Sequence, residues 1–162
     1  MNNSFVITAD PPDSEQEPLV VNDGWFPDMD PAAVRAACML DGTVTADRLK
    51  PALQNAMLSV NAELQPWADE QRVRWGYACL ADVPAPQAGS ESAKVLHYRR
   101  AVHACLQADL LTVYRGGATI NTGNKLDRSN DDTYAQACEY RRMQRWAISD
   151  VLGQARCTVE LI

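Results

Sequence analysis

Leu49, Leu53, Met57, Val60, Leu64 and Trp67 recur at steps of four, four, three, four and three. No strand period of two accommodates that spacing. It places the six side chains on one face of an α-helix that must be buried against other helices. Thr45 is the predicted N-cap, with Asp47 in the first turn. Pro51 moves the expected start toward Arg48 or Lys50, and Pro66 predicts a kink or split, with a second piece from about Trp67 to Trp75.

Other helices follow the same logic. Asp30-Pro31 opens one, because Asp accepts from free N–H groups and Pro is preset for the first helical position. Val34, Ala37 and Cys38 share its face, and Gly42 is the expected stop. A loop with Pro84, Pro86 and Gly89 precedes a helix capped by Ser90 or Ser92. Its apolar face holds Val95, Tyr98, Val102, Cys105, Leu106, Leu110 and Val113, and Gly116-Gly117 is its expected end. A long polar loop over Gly116 to Arg128 leads to a last helix capped by Ser129 and closed by Gly153, with Tyr134, Cys138, Met143, Trp146, Ala147 and Val151 as apolar contacts. The expected fold class is all-α, a bundle of about four helices.

The ends read differently. Residues 1–24 form an expected N-terminal arm, with Pro11, Pro12, Pro18 and an acidic excess; Phe5-Val6-Ile7 and Leu19-Val20-Val21 are short enough to become strands on a partner. Residues 25–153 form the helical domain, and residues 154–162 an extended tail alternating polar with apolar from Cys157 to Leu161.

The chemistry of catalysis is missing from the pattern. His97 and His103 are six residues apart, on different helix faces. Cys38, Cys79, Cys105, Cys138 and Cys157 include no C-x-x-C pair and are expected as small buried hydrophobes. Asp127, Asp131 and Asp132 lie where a helix N-terminus favours negative charge. The expectation is a non-enzyme with no metal and no cofactor. No apolar run approaches the roughly 18 residues that span a bilayer, and the polar, acidic start does not read as a secretory signal. Synthesis in the cytoplasm without membrane association is therefore expected.

The formal net charge of −6 hides an asymmetry. Acidic residues dominate through Ala93, and basic residues exceed acidic ones from Lys94 to Arg145. Arg141 and Arg145 share a helix face with Arg142 close by, and Lys125 and Arg128 precede them in the loop. These five are candidates to meet DNA phosphates or an acidic partner, against the simpler reading of a solvated face.

Several segments together carry a resemblance. They are Phe26-Pro27-Asp28-Met29-Asp30-Pro31-Ala32-Ala33-Val34-Arg35, Thr43-Val44 with Arg48-Leu49, Asn61-Ala62-Glu63-Leu64 with Trp67, and Leu80-Ala81-Asp82-Val83-Pro84-Ala85. Then come Glu91-Ser92 with Lys94-Val95, Tyr98 with Arg100-Ala101-Val102, Tyr114-Arg115, Arg145-Trp146-Ala147, and Arg156-Cys157 with Ile162. In this order they resemble the head completion proteins of tailed phages, the gpL family, over about Trp25 to Ile162. The family's long loop carries a more basic Gly-x-Lys-Lys-like element; here Gly123-Asn124-Lys125-Leu126-Asp127 stands in its place, which weakens a DNA-facing role for that loop.

The resemblance implies a structural virion protein, made in the bacterial host and placed in the neck. It would dock on the portal protein after DNA packaging, form a ring with neighbouring copies, retain the packaged double-stranded DNA and seat a tail terminator or next connector. It also implies a likeness to helical adaptor rings. Arg156, Val159, Leu161 and Ile162 are then the expected portal contacts, by strand addition. The competing reading is a non-viral helical adaptor or regulator with a single protein partner.

Overall fold

Asp30 caps the first helix as its sequence requires. Its carboxylate accepts a 2.9 Å hydrogen bond from the Ala32 N–H, and Pro31 opens α1 (Pro31–Cys38). The helix ends earlier than Gly42 suggests. Met39 adopts the left-handed conformation at φ 51°, and the N–H groups of Met39 and Leu40 return to the carbonyls of Ala36 and Arg35. A residue with a Cβ bears some strain there, and the two returning bonds hold it.

The computed structural model describes residues 17–40, 42, 44–118 and 127–156, with side chains throughout except those of 114–118 and 127–131. Within it, α2 (Ala46–Glu70) runs unbroken through both prolines and passes into one π-helical turn, Gln71–Trp75. Thr45 occupies the N-cap position without a side-chain capping bond. The start is therefore Ala46, ahead of Arg48 and Lys50, and Pro66 does not divide the helix. The apolar ridge explains this. Leu49, Leu53, Val60 and Leu64 are completely buried, so packing outweighs the backbone bonds the prolines remove.

A short 3-10 turn (Leu80–Asp82) and a two-stranded antiparallel ribbon, β1 (Gln87–Ala88) and β2 (Glu91–Ser92), connect to α3 (Ala93–Ala118). The Ser92 hydroxyl is buried without a hydrogen-bond partner, so it does not cap α3. Gly116-Gly117 does not end α3, which extends to Ala118, and α4 (Asp127–Leu152) begins ahead of Ser129. The expected loop from Gly116 to Arg128 is thus helical at both its ends, and 119–126 lie outside the described residues. Gly153 does close α4: at φ +72° its N–H bonds the Asp150 carbonyl and the next N–H bonds that of Ser149.

The α3–α4 pair is antiparallel, as contacts between Lys94 and Val151 at one end and Asp109 and Arg141 further along require. The core lies where α2 crosses this pair. It uses Tyr98, Val102 and Leu106 from α3 and Ala147, Ile148 and Val151 from α4. Beyond Ala108 on α3 and before Gln144 on α4 no described side chain is buried, so the distal half of the hairpin projects from the core.

The chain before α1 closes the core. Val20 and Met29 exchange both backbone bonds, at 2.8 and 3.0 Å, and both side chains are buried. Phe26 stacks on Tyr98 with ring centroids 5.0 Å apart, and Trp25 meets Trp67 edge-on at 5.8 Å. Asn22, Asn61 and Tyr98 form a closed ring of hydrogen bonds of 2.7–2.8 Å. Residues 17–24, placed in an arm by their composition, are therefore docked on the helices. A local reading misses this, because three apolar residues in a row carry no periodicity that reveals a core contact.

Candidate interaction surfaces

The arginines of α4 separate into two groups. Arg141 turns toward α3, where its guanidinium lies 2.5 Å from Asp109 and also donates to Gln144 at 3.2 Å. It ties the two helices together just where the core ends. Arg142 and Arg145 sit on the outer side. Arg142 pairs with Glu139 and stands 4.9 Å over the Trp146 ring. Arg145 is exposed and has no ion partner among the described residues. Lys125 lies outside the described residues, as does the side chain of Arg128. At 1.5 Å per residue, Arg128 is about 25 Å from Arg145 along the helix axis, so the two ends of α4 do not form one surface.

Arg156 joins the outer group. Its guanidinium makes a two-pronged bond to Asp150, at 3.1 and 2.6 Å, and stands 5.4 Å over the Trp146 ring. Trp146 thus meets two arginines far apart in the chain, each held by attraction to the ring. Val159, Leu161 and Ile162 lie outside the described residues. The chain that leads to them leaves from this anchored point.

Asp150 organises the cluster. The hydrogen bond from Arg156 holds its carboxyl below the usual carboxylate range, against partial burial that acts the other way; Arg156, His97 and Arg100 add their charges. His97 Nδ1 is 3.6 Å from Asp150. This partner comes from a different helix, so no offset within α3 could reveal it. A carboxyl depressed on folding contributes stability above its unfolded value near 4 and loses it as pH falls through the lower folded value. Thermal melts between pH 5 and pH 3 should therefore lose less stability in Asp150→Asn than in the parent; equal losses would remove Asp150 from the acid response.

The other titratable groups point away from chemistry. Burial pushes the Cys38 thiol up to about 11 and raises that of Cys105. Both are unreactive at neutral pH. Cys138, expected to be buried, is exposed, Cys79 is partly exposed, and Cys157 lies outside the described residues. Burial also lowers the pKa of His103. Among the described residues no three His, Cys, Asp or Glu side chains converge as metal ligands. No described helix is long and apolar enough to cross a membrane.

Two grooves lie on surfaces relevant to contact with a partner. One, of about 420 Å³, lies between residues 20–23 and the Gln54–Asn61 stretch of α2. The other, of about 200 Å³, lies on the projecting hairpin between Leu111 and Thr112 on α3 and Tyr134, Ala137 and Cys138 on α4. The sequence reading found Arg142, Arg145 and Arg156 but not Trp146, Asp150, His97 or Arg100 as their companions. The i, i+4 series Arg142–Trp146–Asp150 was the available signal.

A family model described as phage head completion protein (GPL) matches residues 20–162. A curated relative, the head completion/stabilization protein of Escherichia phage P2, is 38% identical over 152 residues, covering 94% of this chain and 88% of that protein. No solved structure matches. The match begins at residue 20, six residues before the first motif noted above.

Proposed function

The chain belongs to the phage head completion protein (GPL) family, and from that premise we propose that it docks on the portal protein once DNA is packaged. Head completion is a structural role in the virion, and the family is not one of enzymes. Membership also favours a phage head protein over a non-viral adaptor or regulator. In the proposed state, neighbouring copies form a ring in the neck, the packaged double-stranded DNA is retained in the channel, and the outer side of the ring seats the tail terminator or next connector.

The observation that carries this reading is the projecting half of the α3–α4 hairpin. Two helices that continue past the core expose surface on which no described side chain is buried within one copy. Such surface is useful where another subunit covers it. The Asp150–Arg156 tie adds to this, because it fastens the chain to α4 at the residue before 157–162. Val159, Leu161 and Ile162 then supply alternate apolar side chains for strand addition to the portal, with Arg156 as their anchor.

The test uses purified portal rings. Full-length protein should co-sediment with them and appear as a ring by electron microscopy. Deletion of residues 157–162 removes nothing from the described core, whose last buried residue is Val151, and should abolish co-sedimentation. Unchanged binding by the truncated protein would transfer portal recognition to the hairpin, and absence of binding by the full chain would overturn the docking reading.

A further inference from the structure

We infer that the outer face of α4 around Trp146 is a binding site for the phosphate backbone of double-stranded DNA, formed by Arg142, Arg145 and Arg156 with Arg100 beside them. This rests on the reading above, in which the chain meets packaged DNA, and it deepens that reading by naming the residues. It leaves out Arg141, which faces α3 and is engaged there by Asp109, and Lys125, which lies outside the described residues.

Three observations lead to DNA. The first is charge placement. In a chain of net charge −6, Arg142 pairs with Glu139, and Arg156 and Arg100 both act on Asp150. Arg145 is left with no ion partner among the described residues. The second is shape. Arg142, Arg145 and Arg156 form a short row: the guanidinium groups of Arg142 and Arg156 lie 4.9 and 5.4 Å from the same Trp146 ring, so they span at most about 10 Å, over which one DNA strand presents about three phosphates. A rod with evenly spaced charge meets such a row without a pocket, and neither of the two grooves described above opens onto it. An acidic protein partner would need matching pockets to gain specificity.

The third observation is preorganisation. Arg142 and Arg156 both lie over the Trp146 ring. A stacked guanidinium keeps its full charge and its edge N–H groups while losing rotamer freedom in advance, so less entropy is lost when it binds phosphate. Asp150 limits the strength of the site. It holds Arg156 in the absence of DNA and competes with phosphate for its donors. Each copy therefore binds weakly, and a ring of copies around a DNA segment sums many weak contacts into firm retention. Weak individual contacts dominated by phosphate also leave the site indifferent to sequence, as a protein at the end of any packaged genome requires.

The test measures fluorescence anisotropy of a labelled 30-base-pair duplex with the full-length protein from 25 to 200 mM NaCl. Parent protein should bind saturably at 25 mM NaCl and weaken steeply with salt. The variant Arg100→Glu, Arg142→Glu, Arg145→Glu should lose at least tenfold in affinity, and its salt slope should fall by about 2 to 3, one for each phosphate contact removed. The control Arg48→Glu, Lys50→Glu, Arg74→Glu changes the net charge equally on exposed parts of α2 and the turn after it, and should retain most of the affinity. Matching circular dichroism melts establish that both variants fold; if the charge reversals do not, Arg→Gln replacements at the same sites take their place with the same expectation.

Equal loss in the control would show that only overall charge matters, and would overturn the site. So would no saturable binding by the parent at 25 mM NaCl. Polyglutamate competing as well as DNA of equal charge would overturn it in favour of an acidic protein surface. Portal co-sedimentation separates the two readings. A face variant that loses DNA but still docks supports the site, and one that keeps DNA but fails to dock overturns it. Failure of the parent to dock, with DNA binding intact, removes the portal reading alone.

Discussion

Replacing Phe26 by Ala is expected to lower the unfolding free energy by about 3–5 kcal/mol, the range for truncating a large buried aromatic. Phe26 is only 2% exposed. It stacks on Tyr98 and meets Trp25 edge-on at 4.8 Å. The truncation removes the ring from a site where neighbours on three segments cannot collapse to fill it: Trp25 beside it in the segment before α1, Tyr98 on α3, and Trp67 of α2 behind Trp25. Against total stabilities of about 5–15 kcal/mol for natural domains, the loss is a large fraction. The melting temperature should fall by about 10 °C. Urea unfolding followed by circular dichroism measures the change. A loss below about 1 kcal/mol would mean that the segment before α1 docks without contributing to cooperative stability, and hydrogen exchange at Val20 and Met29, whose amides are bonded to each other's carbonyls, would then be fast.

That prediction concerns the part of the fold least legible in the sequence. The ridge of α2 was legible because burial repeats with the helix period, and Leu49, Leu53, Met57, Val60 and Leu64 are all buried. The same holds for Val95, Tyr98, Val102, Cys105 and Leu106 on α3. The start of α1 was legible because Asp30-Pro31 is a local capping signal. The strand-like pairing of Val20 with Met29 was not, since one bridged residue on each side leaves no alternation to read. Helix ends were legible only in part. Gly153 closes α4 as expected, whereas Gly116-Gly117 lies within α3, because glycine permits a helix end without imposing one.

The candidate surface divides along the same line. Basic residues in α4 and its tail could be counted from the sequence, and their periodicity put Arg141 and Arg145 near one face. Which of them is free depends on where α3 lies. The register of the α3–α4 pair brings Asp109 to Arg141 and His97 to Asp150. Those partners are 32 and 53 residues apart in the chain, so no local pattern selects them. Trp146 reads from its sequence as a core aromatic; its contact with two arginines becomes visible only when Arg156 folds back past Gly153 onto Asp150.

Pro66 provides the second large effect, of opposite sign. It lies in the interior of α2, on an exposed position, and the helix continues through it. A proline there has no N–H for the carbonyl of Ala62, and its ring crowds that carbonyl. The cost relative to alanine in a helix interior is about 3 kcal/mol. Alanine would recover most of this and give back about 0.4–1 kcal/mol through the greater freedom of its unfolded chain. Pro66→Ala should therefore stabilise the protein by about 2 kcal/mol and raise the melting temperature by about 5 °C, read from thermal melts of the two proteins side by side. Pro51 also lies past the free N–H groups of the first turn, because the Leu49 N–H already bonds the Thr45 carbonyl, so the same change there should gain a similar amount. The alternative is instructive. Trp67, next to Pro66, meets Trp25 edge-on and lies 5.5 Å from the Lys94 ammonium. If Pro66→Ala lowers stability instead, the proline must set the local helix direction that brings Trp67 to both partners, and its backbone cost would then be recovered in the aromatic cluster that holds the segment before α1.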